Sequence, residues 1–230
     1  MSVYAVLVAA GQGKRFKAKK QFVLIDRKPL LTCSLDVFEK NNHIKSVIIV
    51  VQENDIARTR DIVRRFKYSK VHAIVPGGKR RQDSVRNGIM AIYLSANTDT
   101  TTADIAVVHD AVRPLISNAL INQGIALCRK YHCVTPGVPV RDTIKYARTG
   151  RVIKTMPREN LFQIQTPQFF DLALLRTAYN AVKFSDEFTD EASIIEAYGA
   201  PVYVMPGSRT NIKVTDRADL DMVRRLITSR

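Results

Sequence analysis

Short apolar runs alternate with amphipathic segments along most of this chain. The apolar runs are rich in β-branched residues and have the length of single buried strands. They predict strands over residues 3–9, 46–51, 71–75, 104–108, 133–140, 162–165 and 202–205. Helical spacing of apolar residues predicts helices over residues 29–38, 55–66, 85–93, 121–131, 172–184, 190–198 and 216–228. We therefore expect an α/β fold, with a Rossmann-like, mostly parallel twisted sheet and helices on both of its faces.

Residues 141–160 break this alternation. They are polar, basic and compatible with β structure, with a turn at Thr149 and Gly150. The pattern predicts an extended β-arm outside the main sheet. Such an arm exposes backbone edges, and a second subunit is one common way to cover them. The whole chain, residues 1–230, is thus expected to be one domain with a dimerisation arm at about 141–160.

The composition is that of a folded globular protein. The 230 residues are 46% hydrophobic and 25% charged, and the apolar runs are far shorter than the roughly 20 residues that cross a bilayer. No basic segment precedes the first strand, so we expect neither a signal peptide nor a membrane partner. Cys33, Cys128 and Cys133 fit no zinc spacing. Free thiols and a cytoplasmic location are expected.

The charge balance is the unusual feature. Lys and Arg number 36 and Asp and Glu number 21, giving a net charge of +15. Such a balance favours an anionic partner, which can be a nucleic acid, a nucleotide or a phosphate. The basic residues are spread along the chain, and no aromatic–basic interleaving typical of RNA-binding modules is present. A generally basic surface explains the charge as well as polymer binding does.

Three glycine-rich or charged segments directly follow predicted strands, at residues 11–15, 77–81 and 109–113. The carboxyl ends of parallel strands meet at one edge, where ligands bind in open α/β sheets. The first segment matches neither common phosphate-binding motif. The dinucleotide-binding fingerprint requires a third glycine at the position of Phe16, and the P-loop motif requires a glycine at the position of Val8. What remains is a tight glycine turn followed by Arg15, Lys19 and Lys20, which suits a polyphosphate.

Several motifs together resemble one enzyme family. They are 9–15 with 20–22, 77–88, 108–114, 138–145, 166–168, 189–193 and 211–215. In this order they resemble nucleotidyltransferases that join a sugar phosphate to a nucleoside triphosphate, most closely the 2-C-methyl-D-erythritol 4-phosphate cytidylyltransferases. The resemblance implies CTP and a sugar or polyol phosphate as substrates, Mg²⁺ as cofactor and a homodimer formed through the arm.

The same resemblance implies a role for each matching residue. It implies that Arg15 and Lys20 are catalytic. It implies that the nucleotide is bound by Ala9, Ala10, Gly11, Gly13, Gly78, Arg81, Ser84 and Asp110. It implies that the acceptor is bound by Arg113, Thr143, Arg158, Thr166, Thr189 and Lys213, with Thr143 and Arg158 reaching the neighbouring subunit's site. Asp110 can also contact Mg²⁺, which the CTP phosphates would mainly hold, because Mg²⁺ dehydrates reluctantly and needs few protein ligands.

This chain departs from the family pattern at two points, and two alternative functions are compatible with its sequence. The family usually has Pro where this chain has Lys19, and the loop between Arg15 and Lys20 is shorter than usual. A cytidylyltransferase for another polyol phosphate, such as ribitol 5-phosphate, is an alternative, and a nucleic-acid-binding module is a remote one. We expect His109 to pack or hydrogen-bond rather than transfer protons. Asp190 and Glu191 have the position of helix-capping carboxylates.

Overall fold

The computed structural model describes residues 1–11, 13, 16, 18–95, 104–183 and 187–228. Its strands are β1 (Val3–Val8), β2 (Leu24–Ile25), β3 (Lys28–Pro29), β4 (Ile44–Val51), β5 (Val71–Pro76), β6 (Ile105–Asp110), β7 (Cys133–Pro139), β8 (Ile144–Arg148), β9 (Arg151–Met156), β10 (Phe162–Ile164), β11 (Gln168–Asp171) and β12 (Tyr203–Pro206). Its helices are α1 (Leu30–Lys40), α2 (Ile56–Arg65), α3 (Arg81–Ser95), α4 (Asn118–Tyr131), α5 (Leu172–Ala181), α6 (Glu191–Tyr198) and α7 (Arg217–Thr228).

The main sheet is mostly parallel. Within the described residues its order is β10–β7–β11–β6–β1–β4–β5, and β12 also pairs with β7. Strands β5, β4, β1 and β6 run parallel to one another, whereas β11 is antiparallel to both β6 and β7. The register sets Val8 at the end of β1 beside Asp110 at the end of β6. The predicted fold class is confirmed.

Side chains of β1 alternate between two apolar cores because successive residues of a strand point to opposite faces. Val3, Ala5 and Leu7 pack in one core with residues of α1, α2 and α4. Tyr4 and Val6 pack in the other with residues of α3, α5 and α6. Helices therefore cover both faces of the sheet, and its carboxyl edge is left for the connecting loops.

Three local predictions differ from the structure. The sequence pattern predicts no strand at Gln168–Asp171, but this segment forms β11, which is buried between β6 and β7. Helix α3 begins at Arg81, four residues before its predicted start at residue 85. The Asp83 carboxylate, which lies within its first turn, accepts the Arg80 backbone N–H. Helix α5 ends at Ala181 rather than at residue 184, which lies outside the described residues.

The arm is present as an antiparallel hairpin of β8 and β9, separate from the main sheet. Its turn residues Thr149 and Gly150 both have positive φ. Apart from partly buried residues at its base, the hairpin is exposed. No helix in the described part of the chain is both long and apolar enough to cross a membrane.

Candidate active site

A cavity of about 550 Å³ lies at the carboxyl edge of the sheet. Its volume is typical of pockets for small ligands. The predicted site residues that line it are Ala9, Ala10, Gly11, Gly13, Lys20, Gly78, Arg81, Ser84, Asp110 and Lys213. The remaining described lining residues, which the sequence did not single out for a role, are Val8, Gln21, Gln52, Glu53, Gly77, Lys79, Arg80 and Val112. Basic side chains outnumber acidic ones on these walls, so the cavity suits an anion.

Gly13, in the loop after β1, lies close to the backbone of Ala18. Gly13 has a φ of +65°, and a Cβ there would lie 2.0 Å from the Ala18 carbonyl oxygen, so only glycine fits. The chain then forms a 3₁₀ turn at Lys20–Phe22. Lys20 Nζ donates a hydrogen bond to the Val214 carbonyl oxygen at 2.8 Å. This contact joins the first loop to the segment that carries Lys213.

The loop after β5 forms a second wall with little side-chain volume. The Gly78 N–H donates to Ser84 Oγ at 3.0 Å, and that hydroxyl donates to the Arg80 carbonyl oxygen at 3.1 Å. A Cβ on Gly78 would lie 2.4 Å from the Asp83 Cβ. Gly78 therefore packs tightly against the first turn of α3, and this wall meets the cavity without a side chain at Gly77 or Gly78.

Asp110, at the end of β6, joins two cations from different loops. Its Oδ1 lies 3.1 Å from an Arg81 guanidinium nitrogen, and its Oδ2 lies 2.7 Å from Lys213 Nζ. Burial alone would raise the pKa of Asp110, but the charges of Arg81 and Lys213 hold it well below its usual value. Asp110 therefore remains an anion in the cavity.

A buried carboxylate behind Arg81 was not anticipated as part of the site. Glu191 is fully buried and accepts two hydrogen bonds from Arg81 Nη1, at 2.8 and 2.9 Å. Its Oε1 also accepts from the Tyr179 hydroxyl at 3.2 Å. Burial raises the pKa of Glu191 despite the charge of Arg81. Asp190 caps α6 as expected, with its side chain accepting the Ser193 N–H, but Glu191 fixes Arg81 beneath the cavity.

His109 and Thr166 lie beneath Asp110 and support it. The Asp110 N–H donates to Thr166 Oγ1 at 3.0 Å, and Thr166 Oγ1 lies 3.1 Å from His109 Nδ1. The other ring nitrogen lies 3.1 Å from the Arg113 carbonyl oxygen. A neutral ring protonated at Nε2 satisfies both contacts. Burial lowers the pKa of His109 to about 3, in keeping with a hydrogen-bonding role.

Other predicted residues are placed elsewhere. Arg113 is held by a hydrogen bond from its Nη1 to the Asn211 carbonyl oxygen at 2.9 Å. Thr143 and Arg158 are exposed at the two ends of the arm, and Thr189 is exposed just before α6. In the described part of the chain these three do not line the cavity. Arg15 lies outside the described residues.

The donor set is compatible with one divalent cation bound mostly by its substrate. Asp110 lines the cavity as an anion, and its two oxygens, which already meet Arg81 and Lys213, have further lone pairs that can bind a metal ion. The part of the chain that the structure describes contains no group of three or more His, Cys, Asp or Glu side chains able to hold a metal ion. Because Mg²⁺ usually takes only one or two carboxylates together with phosphates and waters, Asp110 fits it.

Comparisons with known proteins agree with this geometry. The family model IspD, 2-C-methyl-D-erythritol 4-phosphate cytidylyltransferase, matches residues 3–229. The protein of that name from Halalkalibacterium halodurans is 38% identical, with 96% of this chain and 94% of the relative covered. The one from Clostridium acetobutylicum is 39% identical, with 94% and 93% covered. A crystal structure of a 4-diphosphocytidyl-2C-methyl-D-erythritol synthase has a TM-score of 0.83 at 31% identity, over 98% of both chains. The Francisella tularensis 2-C-methyl-D-erythritol 4-phosphate cytidylyltransferase has a TM-score of 0.82 at 26% identity, over 98% of this chain and 99% of that one.

A mostly parallel sheet whose carboxyl edge carries glycine-containing loops and several basic side chains is typical of Rossmann-like proteins that bind phosphate-bearing ligands, and the matched relatives place this chain among the nucleotidyltransferases. The match over residues 3–229 narrows the class to one reaction type. The chain belongs to the 2-C-methyl-D-erythritol 4-phosphate cytidylyltransferase family.

Proposed function

We propose that this protein transfers the cytidylyl group of CTP to 2-C-methyl-D-erythritol 4-phosphate. The products are 4-diphosphocytidyl-2-C-methyl-D-erythritol and pyrophosphate, and the step belongs to the non-mevalonate route to isoprenoid precursors. Family membership supports this reaction. The structural observation that carries it is the convergence of Lys20, Arg81 and Lys213 on a cavity walled by glycine loops.

The chemistry needs positioning and charge stabilisation more than proton transfer. A phosphate oxygen of the acceptor attacks the α-phosphorus of CTP, a new P–O bond forms, and the bond to the bridging oxygen of pyrophosphate breaks. The attacking oxygen is already anionic, so a strong general base is unnecessary. The barrier comes from repulsion between two phosphates and from charge on the α-phosphoryl oxygens. Fixed cations in a partly enclosed cavity reduce both.

The cavity supplies such cations from separate loops. Lys20 would act at the triphosphate together with Arg15. Lys213 would act at the acceptor phosphate. Unit charges about 4 Å apart interact by about 4 kcal/mol at an effective dielectric of 20, so a few placed cations suffice. Arg81 is committed to Asp110 and Glu191, and its contribution is to fix Asp110.

Mg²⁺ is part of the proposal. When bound, it supplies additional positive charge to the triphosphate oxygens. Asp110 would be its protein ligand. Chelation by EDTA should abolish pyrophosphate release and added Mg²⁺ should restore it, and full activity in EDTA would exclude the requirement.

The nucleotide base and the acceptor would occupy opposite ends of the cavity. Ala9, Ala10, Gly11 and Gly13 would meet the nucleotide through their backbone, and the loop of Gly78 and Ser84 would read the cytosine. This small backbone-lined wall favours a pyrimidine over a purine. The acceptor would be bound by Arg113, Thr143, Arg158, Thr189 and Lys213. Because the Thr166 hydroxyl already bonds to His109 and to the Asp110 N–H, it would act by holding Asp110.

A homodimer formed through the arm would complete this site. The hairpin exposes Tyr146, Val152 and Ile153, and the neighbouring β10 exposes Phe162 and Ile164. An isolated two-stranded hairpin is marginally stable in water, so a partner surface over these apolar residues would stabilise it. In this arrangement Thr143 and Arg158 would reach the partner subunit's cavity. Sedimentation equilibrium should give twice the chain mass of 25.9 kDa, and a monomer at micromolar concentration would contradict the proposal.

The decisive measurement is pyrophosphate release from CTP compared with ATP, GTP and UTP, with 2-C-methyl-D-erythritol 4-phosphate as acceptor. We expect CTP to be strongly preferred. Ribitol 5-phosphate in the same assay tests the alternative acceptor, and faster turnover with it would replace the proposed substrate. Tight, steeply salt-dependent duplex binding without nucleotide turnover would instead favour a nucleic-acid-binding module.

The free thiols of Cys33, Cys128 and Cys133 support a cytoplasmic location.

A further inference from the structure

The residue before Lys20 forms an ion pair with the segment that follows β4. Lys19 Nζ lies 2.6 Å from Asp55 Oδ1. Asp55 stands directly before α2, at the end of a 3₁₀ turn at Glu53–Asp55. Gln52 and Glu53, just ahead of it, line the cavity. The ion pair therefore connects the segment that carries Lys20 to a second segment that lines the same cavity.

Burial makes this pair more consequential than a surface ion pair. The Asp55 side chain is 5% exposed, whereas the Lys19 side chain is 40% exposed. Asp55 Oδ2 has no hydrogen-bond partner in the described part of the chain. Loss of the lysine would leave an uncompensated carboxylate in a low-dielectric site, which is costly. The ion pair with the buried Asp55 carboxylate therefore restricts Lys19 to one position.

A second contact joins the same two segments. The Arg58 guanidinium carbon lies 4.2 Å from the centroid of the Phe22 ring, as in a cation–π pair. The 3₁₀ turn at Lys20–Phe22 is consequently attached to the start of α2 on both sides, through Lys19 and through Phe22. Lys20 lies between these two attachments, with its side chain directed to the Val214 carbonyl oxygen.

We propose that Lys19 and Asp55 are a positioning pair that holds the 3₁₀ turn so that Lys20 faces the triphosphate. The pair acts through Lys20 and touches neither substrate. This inference rests on the proposed function and extends it to two residues that the site description does not use. A displacement of about 1 Å in a catalytic group can cost about 100-fold in rate, so loss of the pair should reduce kcat at least about tenfold.

The test is a set of variants that separates positioning from direct phosphate contact. Lys19→Met and Asp55→Asn each remove one charge at nearly constant shape, and Lys19→Arg retains the charge. We expect both charge-removing variants to lower kcat about equally, with the KM for the acceptor within about twofold of the wild-type value. The double variant should be no slower than either single one, and Lys19→Arg should keep most of the activity.

The same substitutions in a Lys20→Met background provide the sharper comparison. If the pair acts through Lys20, Lys19→Met should cause no further loss there. A further loss of about tenfold would overturn the proposal, because Lys19 would then act on the substrate or on the general fold. Normal turnover in Asp55→Asn alongside a slow Lys19→Met would also overturn it, since Lys19 would not need Asp55.

A matched control lies a few residues further along the chain. Lys28 Nζ forms an exposed ion pair with Asp36 Oδ2 at 3.4 Å, outside the cavity. Lys28→Met should leave kcat and both KM values unchanged. Trypsin cleavage after Lys20 gives a readout that needs no turnover. Asp55→Asn should accelerate it severalfold relative to wild type and to Lys28→Met, and equal cleavage rates would contradict the proposal even if the enzyme used another substrate.

Discussion

Lys213 Nζ lies 2.7 Å from Asp110 Oδ2, on the carboxylate whose other oxygen meets Arg81. One strand-end carboxylate therefore fixes two cations that come from distant parts of the chain. The two contacts differ in their surroundings, because the Lys213 side chain is 40% exposed and the Arg81 side chain 23%. Behind Arg81 stands Glu191, which is fully buried, whereas Lys213 faces the open side of the cavity. Asp110 thus pairs on one side with Arg81, which is backed by the buried Glu191, and on the other with Lys213, which lines the cavity.

Arg81 should matter for stability and Lys213 for activity. Arg81→Met leaves Glu191 buried without its countercharge, so the free energy of unfolding at neutral pH should fall by about 3–5 kcal/mol. Lys213→Met leaves Asp110 paired with Arg81, so the free energy of unfolding should fall by less than in Arg81→Met. Urea denaturation followed by circular dichroism measures both. Equal small changes in the two variants would show that the Arg81–Glu191 pair is not supporting the fold.

Lys20 is expected to stabilise the transition state. Lys20→Met should lower kcat by about 10²–10³-fold, equivalent to about 2.7–4 kcal/mol, as for loss of one preorganised donor. Arg15→Ala should have an effect of the same size, as the family resemblance implies. Pyrophosphate release at saturating CTP measures both, with Lys28→Met as the unchanged control. Near-normal turnover in the Lys20 and Arg15 variants would remove the catalytic assignment.

Sequence reasoning located most of the cavity because a single topological rule places its residues. Once β1, β5 and β6 are recognised as parallel strands, the loops that follow them must meet at one edge. This explains why Gly11, Gly78 and Asp110 were predicted together and line the same cavity. Lys213 was found by family resemblance, since nothing in its strand-like surroundings indicates a binding residue.

The remaining features depend on contacts between residues far apart in the chain. β11 is only four residues long and directly follows Thr166 and Pro167, so no repeating pattern marks it as a strand. It is a strand because it pairs with β6 and β7 on its two sides. Glu191 has the position of a helix-capping residue, and only the folded chain brings Arg81 to it. The partner of Lys19 was equally inaccessible, because Asp55 lies on another connection.

His109 should make the protein less stable in mild acid. Its folded-state pKa of about 3 lies below its ordinary value of 6.5, because burial disfavours the charged ring. As the pH falls, His109 is therefore protonated in the unfolded chain at a higher pH than in the folded protein. The stabilisation is complete above about pH 6.5 and is lost as the pH falls towards 3, by at most about 1.4 kcal/mol per pH unit.

The comparison that isolates this effect is between wild type and His109→Gln. Free energies of unfolding at pH 7.5, 6.5, 5.5 and 5.0 should fall more steeply for wild type than for the variant, which lacks the titrating ring. Asp110 also loses stabilising charge in acid, but only below its ordinary pKa, since its folded pKa is lowered. Parallel pH dependences in the two proteins would mean that His109 does not titrate on unfolding.

The proposed dimer predicts that two inactive variants regain activity when their chains form hybrid dimers. If Arg158 acts in the partner subunit's cavity, a hybrid of Arg158→Ala and Lys213→Ala chains has one intact site and one doubly altered site. Random mixing of the two variants makes half of the dimers hybrids, so about a quarter of wild-type activity should return. The assay is pyrophosphate release after the variants are unfolded and refolded together, with hybrids quantified by differential tags.

The control experiment uses two residues of one chain that line the same cavity. Lys20 and Lys213 both line the cavity of a single subunit. Hybrids of Lys20→Ala and Lys213→Ala chains therefore have one defect in each site and should recover no activity. Recovery confined to the pair that includes Arg158 requires its guanidinium to cross the subunit boundary. Failure of that pair to recover, with hybrids present at the expected fraction, would place Arg158 in its own subunit's site or outside any site.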